Sequence, residues 1–262
     1  MSTILDQIAD RTRLRVAELK EKTPLAALTR AAENARTPHD FGAAFANGSD
    51  NIIAEVKLAS PSEGDIAPQL DPLKVAADYL ANGAAALSIL TEPHYFKGDL
   101  RYLEGVRAAN PGAKLLMKDF VVDEYQLFQA RAHGADAVLI LLAMYEPKQA
   151  QSLYAQALNL GLTALVEVHD EAELELAAKL GAKLIGINNR NLKTMKVSLD
   201  ASERLAALAP RSARLISESG IKTSADLKRL SALGYRGFLI GTHFMKTGHP
   251  GNALHKLLRG PE

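Results

Sequence analysis

Residues 170–190 read DEAELELAAKLGAKLIGINNR, and this one stretch contains a whole structural unit. An acidic residue opens a segment of helical spacing, where Asp170 suits the N-cap or the positive end of the helix dipole. Gly181 closes that segment, at the position where a left-handed backbone costs glycine little. A short run, LIGIN, follows without alternating polar residues, which is how a parallel strand covered on both faces reads. The run then ends on Asn188 and Arg190, two apart and on one face of the strand.

The same unit returns along the chain. NGAAALSIL, HGADAVLILL, LGLTALVEV and LGYRGFLIG each follow a helical segment, with Gly83, Gly134, Gly161 and Gly234 in the role of Gly181. NIIAEVK, AKLLMK and ARLISES complete about eight predicted strands. Helical segments separate them, such as DPLKVAADYLANG, DEYQLFQARAHG, EPKQAQSLYAQALNLG and TSADLKRLSALG, beside the one already quoted. About eight βα units in roughly 210 residues is the arithmetic of a (β/α)8 barrel; an open doubly wound sheet has fewer strands and a glycine-rich first turn. Neither GxGxxG nor GxxxxGK[ST] occurs. The fold class is therefore α/β, a TIM barrel over 51–262. Residues 1–50 form an N-terminal helical extension, with helices predicted over 2–22 and 24–35, packed on the barrel as part of a single domain 1–262.

The 262 residues carry a formal charge of +1 and no cysteine or tryptophan. Balanced charge gives no nucleic-acid surface, and no apolar run approaches the ~18 residues of a membrane span. The N-terminal MSTILDQIADRTRLRVAELKEKT mixes Asp6, Asp10, Arg11 and Arg13 among its apolar residues, unlike a signal peptide. Without cysteine there is no disulfide, thiolate metal site or Cys nucleophile, which fits a cytoplasmic enzyme. The seven histidines show neither HxH nor HExxH spacing, so no metal is expected, and nothing calls for a cofactor or names a partner protein.

In such a barrel the site lies at the C-terminal ends of the strands. Polar residues gather there: Glu55 and Lys57 on strand one, Lys118 and then Phe120 on strand three, Glu167 on strand five. Asn188 and Arg190 follow on strand six, Ser217 and Ser219 before Gly220 on strand seven, and Gly241 and Thr242 on strand eight. A network of ion pairs that merely fixes the register would scatter its charges along the strands. These sit at one end. Partial desolvation or neighbouring cations would lower a lysine toward neutral pH and apolar walls would raise a glutamate, so acid–base chemistry on a small anion is expected.

ESGIKTSADL and IGTHFMKTG each set Gly beside a hydroxyl residue at a strand end, where barrels often hold phosphate. Ser60 in ASPSEG offers a third hydroxyl. His169 follows Glu167 on the same face and is a weaker candidate for the mouth. Phe96 and Phe120 are core aromatics or, for an aromatic substrate, a clamp on its ring.

Together IIAEVKLASPSEG, LSILTEPHYFKG, MKDFVVDEYQLFQARAHGADAVLIL, ALVEVHDEAEL, IGINNRNLKT, ISESGI and FLIGTHFM resemble the indole-3-glycerol-phosphate synthase family of tryptophan biosynthesis, in its order and spacing. The resemblance covers 51 to about 258 strongly and 1–50 less specifically. It implies a phosphorylated anilino-sugar as substrate, 1-(2-carboxyphenylamino)-1-deoxyribulose 5-phosphate, closed to an indole with loss of CO2 and water. It implies Lys118 as general acid on the carbonyl and Glu167 in the proton transfers of dehydration. Lys57 binds the carboxylate or serves as a second acid, while Glu55, Asn188 and Arg190 orient and charge-balance. Substrate contacts fall to Ser60, Phe96, Phe120, Leu139, Arg190, Ser219, Gly220, Leu239, Gly241 and Thr242.

Three positions depart from that family's usual pattern. Leu58 stands where a basic residue is common, Glu63 sits in a loop that is often basic or neutral, and Thr242 replaces a more usual Ser. A less positive first loop is expected to bind a dianion more weakly. The competing readings are another phosphate-binding barrel enzyme, such as a sugar-phosphate isomerase, and a catalytically silent barrel that binds a phosphorylated metabolite.

Overall fold

The computed structural model describes residues 3–48, 50–192 and 194–260. Met1, Ser2, Ser49, Lys193, Pro261 and Glu262 lie outside them, and with them the predicted start of the first helix and one residue of the IGINNRNLKT motif. Among the described residues, eight parallel strands close a barrel: β1 (Asn51–Val56), β2 (Ala86–Leu90), β3 (Leu115–Lys118), β4 (Ala137–Leu141), β5 (Thr163–Val168), β6 (Leu184–Asn188), β7 (Arg214–Glu218) and β8 (Tyr235–Ile240). Each pairs with the next, and β1 pairs with β8. The five unit glycines all have positive φ, between 70° and 98°.

Two helices precede the barrel, α1 (Ile4–Lys22) and α2 (Leu25–Asn34). Around it run α3 (Pro72–Ala81), α4 (Leu100–Ala109), α5 (Tyr125–Ala132), α6 (Pro147–Asn159), α7 (Glu171–Lys179), α8 (Asp200–Ala206), α9 (Ser224–Ala232) and α10 (Pro250–Arg259). Side chains start several of them as the sequence implied. Asp71, Asp99 and Asp170 accept from first-turn amides of α3, α4 and α7, and Thr223 forms a capping box with Asp226. Short elements that the pattern did not reveal include a hairpin pairing 59–60 with 64–65 and single turns at Pro93–Phe96 and Thr242–Met245. Each is too short to leave a periodic signal.

The strands divide the apolar residues between two cores. One face packs under the outer helices, with Ile52, Leu87, Val138, Val166, Ile187 and Phe238 among its members. The other fills the barrel with Ile53, Leu116, Leu139, Leu165, Leu184, Ile216 and Leu239, floored by Phe41 and Phe45 from the connector after α2. A buried carboxylate ties that connector to the barrel. Asp136, fully buried, ion-pairs with Arg36 at 2.8 Å and with Arg107, and accepts from the backbone N–H of His39 and Leu115. At the opposite end α1 lies over the mouth, held by Arg15–Asp119 and Lys20–Asp123, both 2.7 Å.

Candidate active site

Where the inner core reaches the C-terminal ends of the strands, its side chains turn polar and line an open cavity. The fifteen residues given a catalytic or substrate-binding role by the family resemblance line it: Glu55, Lys57, Ser60, Phe96, Lys118, Phe120, Leu139, Glu167, Asn188, Arg190, Ser219, Gly220, Leu239, Gly241 and Thr242. Parity explains the convergence. Residues paired across adjacent strands share a face, and Glu55↔Ser88, Leu141↔Glu167 and Asn188↔Glu218 are such pairs.

That last pair corrects the reading of strand seven. Ser217 points outward, fully buried, and its Oγ bonds Asn189 and Ser202. The inward residue is Glu218, whose Oε2 accepts from Lys118 Nζ at 2.9 Å. Placing Asn188 inward and pairing strands six and seven in register would have found it. The sequence reading also missed Ile4, Leu5 and Ile8 of α1, Leu192 and Met195 from the loop after β6, and His243 from the turn Thr242–Met245, all of which line the cavity.

Three carboxylates thus meet two lysines. Lys57 Nζ lies 2.5 Å from Glu55 Oε1, and Ser88 Oγ donates to the other oxygen. Lys118 is shared between Glu218 and Glu167, whose Oε2 is 3.4 Å away. Asn188 Nδ2 donates to Glu167 Oε1 at 2.8 Å. The electrostatics reverse two expectations. Burial would lower the Lys118 pKa, but Glu218, Glu167 and Glu55 outweigh it and hold the ammonium well above its usual range. Burial would raise Glu167, but Lys118, His169 and Asn188 push it below the ordinary carboxylate range. Ion pairing wins because each group lies within a few ångströms of its partner.

Glu218 is the carboxyl that shifts upward, to about 7, because burial and the charge of Glu167 prevail over Lys118. Among the described residues its buried Oε1 has no hydrogen-bond partner, so adding a proton there breaks nothing. Close approach sets these carboxylates in place: a Cβ on Gly186 would collide with Glu218 Oε1, and one on Gly241 would stand 2.6 Å from Glu55 Oε1.

Ser219 and Gly220, which line the cavity, both adopt positive φ, 66° and 86°; turns can present successive backbone N–H groups to an anion. Ser219 is strained there, and Asn189 Nδ2 holds the turn by donating to the carbonyls of Glu218 and Ser219. Gly241 and Thr242 face the same cavity from β8. Elsewhere in it, Phe96 and Phe120 stand with centroids 5.7 Å apart and planes 38° from parallel, forming one aromatic wall rather than two separated jaws. Arg190 is fixed by its backbone N–H to Asn188 Oδ1 and by its guanidinium to the Met195 carbonyl. Ser60 lies in the hairpin of the first loop, 3.4 Å from Ser62 Oγ. Leu58 turns away into the outer core, and Glu63 pairs with Lys246 at 2.5 Å. His169 sits behind Glu167 and does not line the cavity.

A family model described as Indole-3-glycerol phosphate synthase matches residues 5–257. The chain belongs to the indole-3-glycerol phosphate synthase family. Members from a Polaromonas species and from Rhodospirillum rubrum are each 44% identical, over 98% of this chain and 98% and 100% of their own lengths. Among solved structures, 3-hexulose-6-phosphate synthase from Salmonella typhimurium superposes with a TM-score of 0.65 over 80% of this chain and 97% of that one, at 15% identity. KGPDC from Streptococcus mutans gives 0.62 at 10% identity, over 81% and 97%. Both likenesses concern the barrel alone. Among the described residues no cluster of three or more His, Asp or Glu is placed to hold a metal ion, and no helix is long and apolar enough to cross a membrane.

Proposed function

We propose that this chain acts as a carboxy-lyase of tryptophan biosynthesis, converting 1-(2-carboxyphenylamino)-1-deoxyribulose 5-phosphate into indole-3-glycerol phosphate, CO2 and water. The observation that carries this reading is the cavity's composition in a member of the family: an anion cradle, a lysine–carboxylate cluster and an aromatic wall in one space. The substrate has a phosphate, a ketose carbonyl and a carboxylated ring to match them.

Substrate phosphate sits against the N–H groups of Ser219, Gly220, Gly241 and Thr242, with Ser60 adding its hydroxyl. Lys57, steadied by Glu55, faces the ring carboxylate, while Phe96, Phe120, Leu139 and Leu239 pack the ring. Lys118 donates to the carbonyl oxygen as the ring carbon bearing the carboxylate attacks the carbonyl carbon. The carbon–carbon bond forms, the oxygen takes the proton, and CO2 leaves its bonding pair to restore the aromatic ring. The raised pKa of Lys118 keeps it protonated in the free protein. A carbonyl that displaces Glu218 removes a group that holds the proton on nitrogen, so acidity rises on binding. Dehydration follows, with Glu167 removing the carbon-bound proton and neutral Glu218 supplying one to the departing hydroxyl. The proton on Glu167 passes to the adjacent Lys118, which gave its own to the carbonyl oxygen, and one proton from solvent, the one consumed as the carboxylate leaves as CO2, restores Glu218. Asn188 and Arg190 hold the substrate and Glu167 in register.

Indole fluorescence and released CO2 after addition of the anilino-deoxyribulose phosphate test the reading. An isomerase forms neither, and a binding-only barrel gives a complex without product. Lys118→Met and Glu167→Gln are each expected to lower kcat by about 10²-fold or more with phosphate affinity little changed. Near-normal turnover in either removes that residue from its role.

A further inference from the structure

Behind the cavity wall, His169 lies between two carboxylates that belong to different elements. Its Nε2 is 3.3 Å from Glu167 Oε1 at the end of β5, and its Nδ1 is 3.1 Å from Glu173 Oε2 on α7. Glu173 Oε2 also accepts from the His169 backbone N–H at 2.7 Å. Asp170 fixes Glu173 in turn by accepting its backbone N–H at 3.0 Å. With Nδ1–H committed to Glu173, a neutral ring would aim the lone pair of Nε2 at Glu167. Nε2 stands at ion-pair distance from Glu167 without hydrogen-bond alignment, so the imidazolium acts on Glu167 through its charge, which a neutral ring lacks. The charged groups against the ring are these two carboxylates, with Lys118 beyond, on the far oxygen of Glu167.

The ring answers an imbalance in the site. Lys57 is engaged by Glu55, so among the described residues Lys118 is the one ammonium that faces both Glu167 and Glu218. One ammonium cannot hold two buried carboxylates ionised, and one of the pair must carry a proton near neutrality. We propose that His169 is a positioning residue that acts through Glu167, deciding which member of the Glu167–Glu218 pair is ionised and so which serves as base and which as acid. The cation stands on the Glu167 side, while among the described residues Glu218 meets no cation besides Lys118. Burial would lower the ring's pKa, yet Glu167 and Glu173 hold it up at about 10, so the bias persists through the neutral range.

The assignment of base and acid rests on the proposed dehydration, but the order of ionisation does not, and the two are tested separately. Carbon-13 carboxyl titrations of glutamate-labelled protein, assigned with Glu167→Gln and Glu218→Gln, read the order without substrate. His169→Gln keeps a polar side chain and removes the charge. Glu173→Gln loosens the ring from the α7 side and keeps His169 itself, so it serves where the first variant folds poorly. The gap between the Glu167 and Glu218 midpoints is expected to shrink by about one unit or more in His169→Gln and by less in Glu173→Gln. In turnover, kcat at pH 7 falls about tenfold in His169→Gln, KM stays within about threefold, and the acid limb of the kcat profile moves to higher pH. A residue that only packs would lower kcat without moving the limb. An unchanged gap between the carboxyl midpoints in both folded variants overturns the inference, whatever the substrate proves to be.

Discussion

Glu218 fills the space that Gly186 leaves on the neighbouring strand: any Cβ at 186 would meet the carboxylate oxygen and, next, Leu165. A glycine inside a strand usually weakens it, and here it makes room for a buried acid. Gly186→Ala is therefore expected to push Glu218 out of its 2.9 Å contact with Lys118. Overpacking of this size costs about 1–3 kcal/mol of stability, which thermal unfolding would register as a modest loss. The larger effect should fall on kcat, by about tenfold or more, because an ångström of misplacement disturbs proton transfer. A variant that unfolds earlier but turns over normally would show that Glu218 does not depend on this gap.

The same carboxyl makes stability depend on pH. Its folded pKa of about 7 lies above the ordinary 4.5, burial being the chief cause. Between those limits the folded protein binds a proton that the unfolded chain has lost, so this group's contribution declines as pH rises from about 4.5 through about 7. At roughly 1.4 kcal/mol per unit the loss is on the order of 3 kcal/mol above pH 7. Glu218→Gln mimics the neutral form. Urea unfolding should find it close to the parent at pH 5 and more stable than the parent at pH 8; an equal difference at both would place the proton elsewhere. Turnover of the parent should fall above about pH 7, where the acid for dehydration is lost.

Much of this site was legible because barrel geometry converts sequence position into direction. Lys118, Glu167 and Asn188 each end an apolar run, and their own strands sufficed to aim them inward. Glu218 escaped because ISES offers two serines of the opposite parity, and only pairing with Asn188 decides between them. Ile4 and Leu5 escaped for another reason: the seat of α1 over the mouth depends on Arg15 and Asp119, which are 104 residues apart. The pKa directions failed because burial is a property of one residue, whereas the ion pairs that outweigh it belong to three strands at once.

Asp136 tests the lower end of the barrel. It is fully buried and carries Arg36, Arg107 and two backbone N–H groups, so removing its charge leaves two guanidinium groups without their shared partner. Breaking a buried pair in this way costs roughly 3–5 kcal/mol. Asp136→Asn should lower the unfolding midpoint strongly while leaving KM within about twofold at a temperature where it stays folded, since the site is at the other end. A KM change larger than the stability loss would mean that the connector after α2 communicates with the mouth.

The first loop gives the last test. Glu63 was expected to make it less attractive to a dianion, and the structure shows its charge engaged by Lys246 of the final loop, with Leu58 withdrawn into the core. Glu63→Lys therefore does two things: it adds a cation near the mouth and leaves Lys246 without this partner. Both favour an incoming phosphate. KM is expected to fall about threefold at ~20 mM ionic strength and the advantage to fade by ~500 mM, as screening shortens the reach of exposed charges. The salt dependence separates this account from a loss of loop order, which would raise KM at every ionic strength because Ser60 lies in the same hairpin and Lys57 just before it. An unchanged KM at low salt would mean that substrate never senses charge at position 63, and that the affinity of this chain is set wholly inside the cavity.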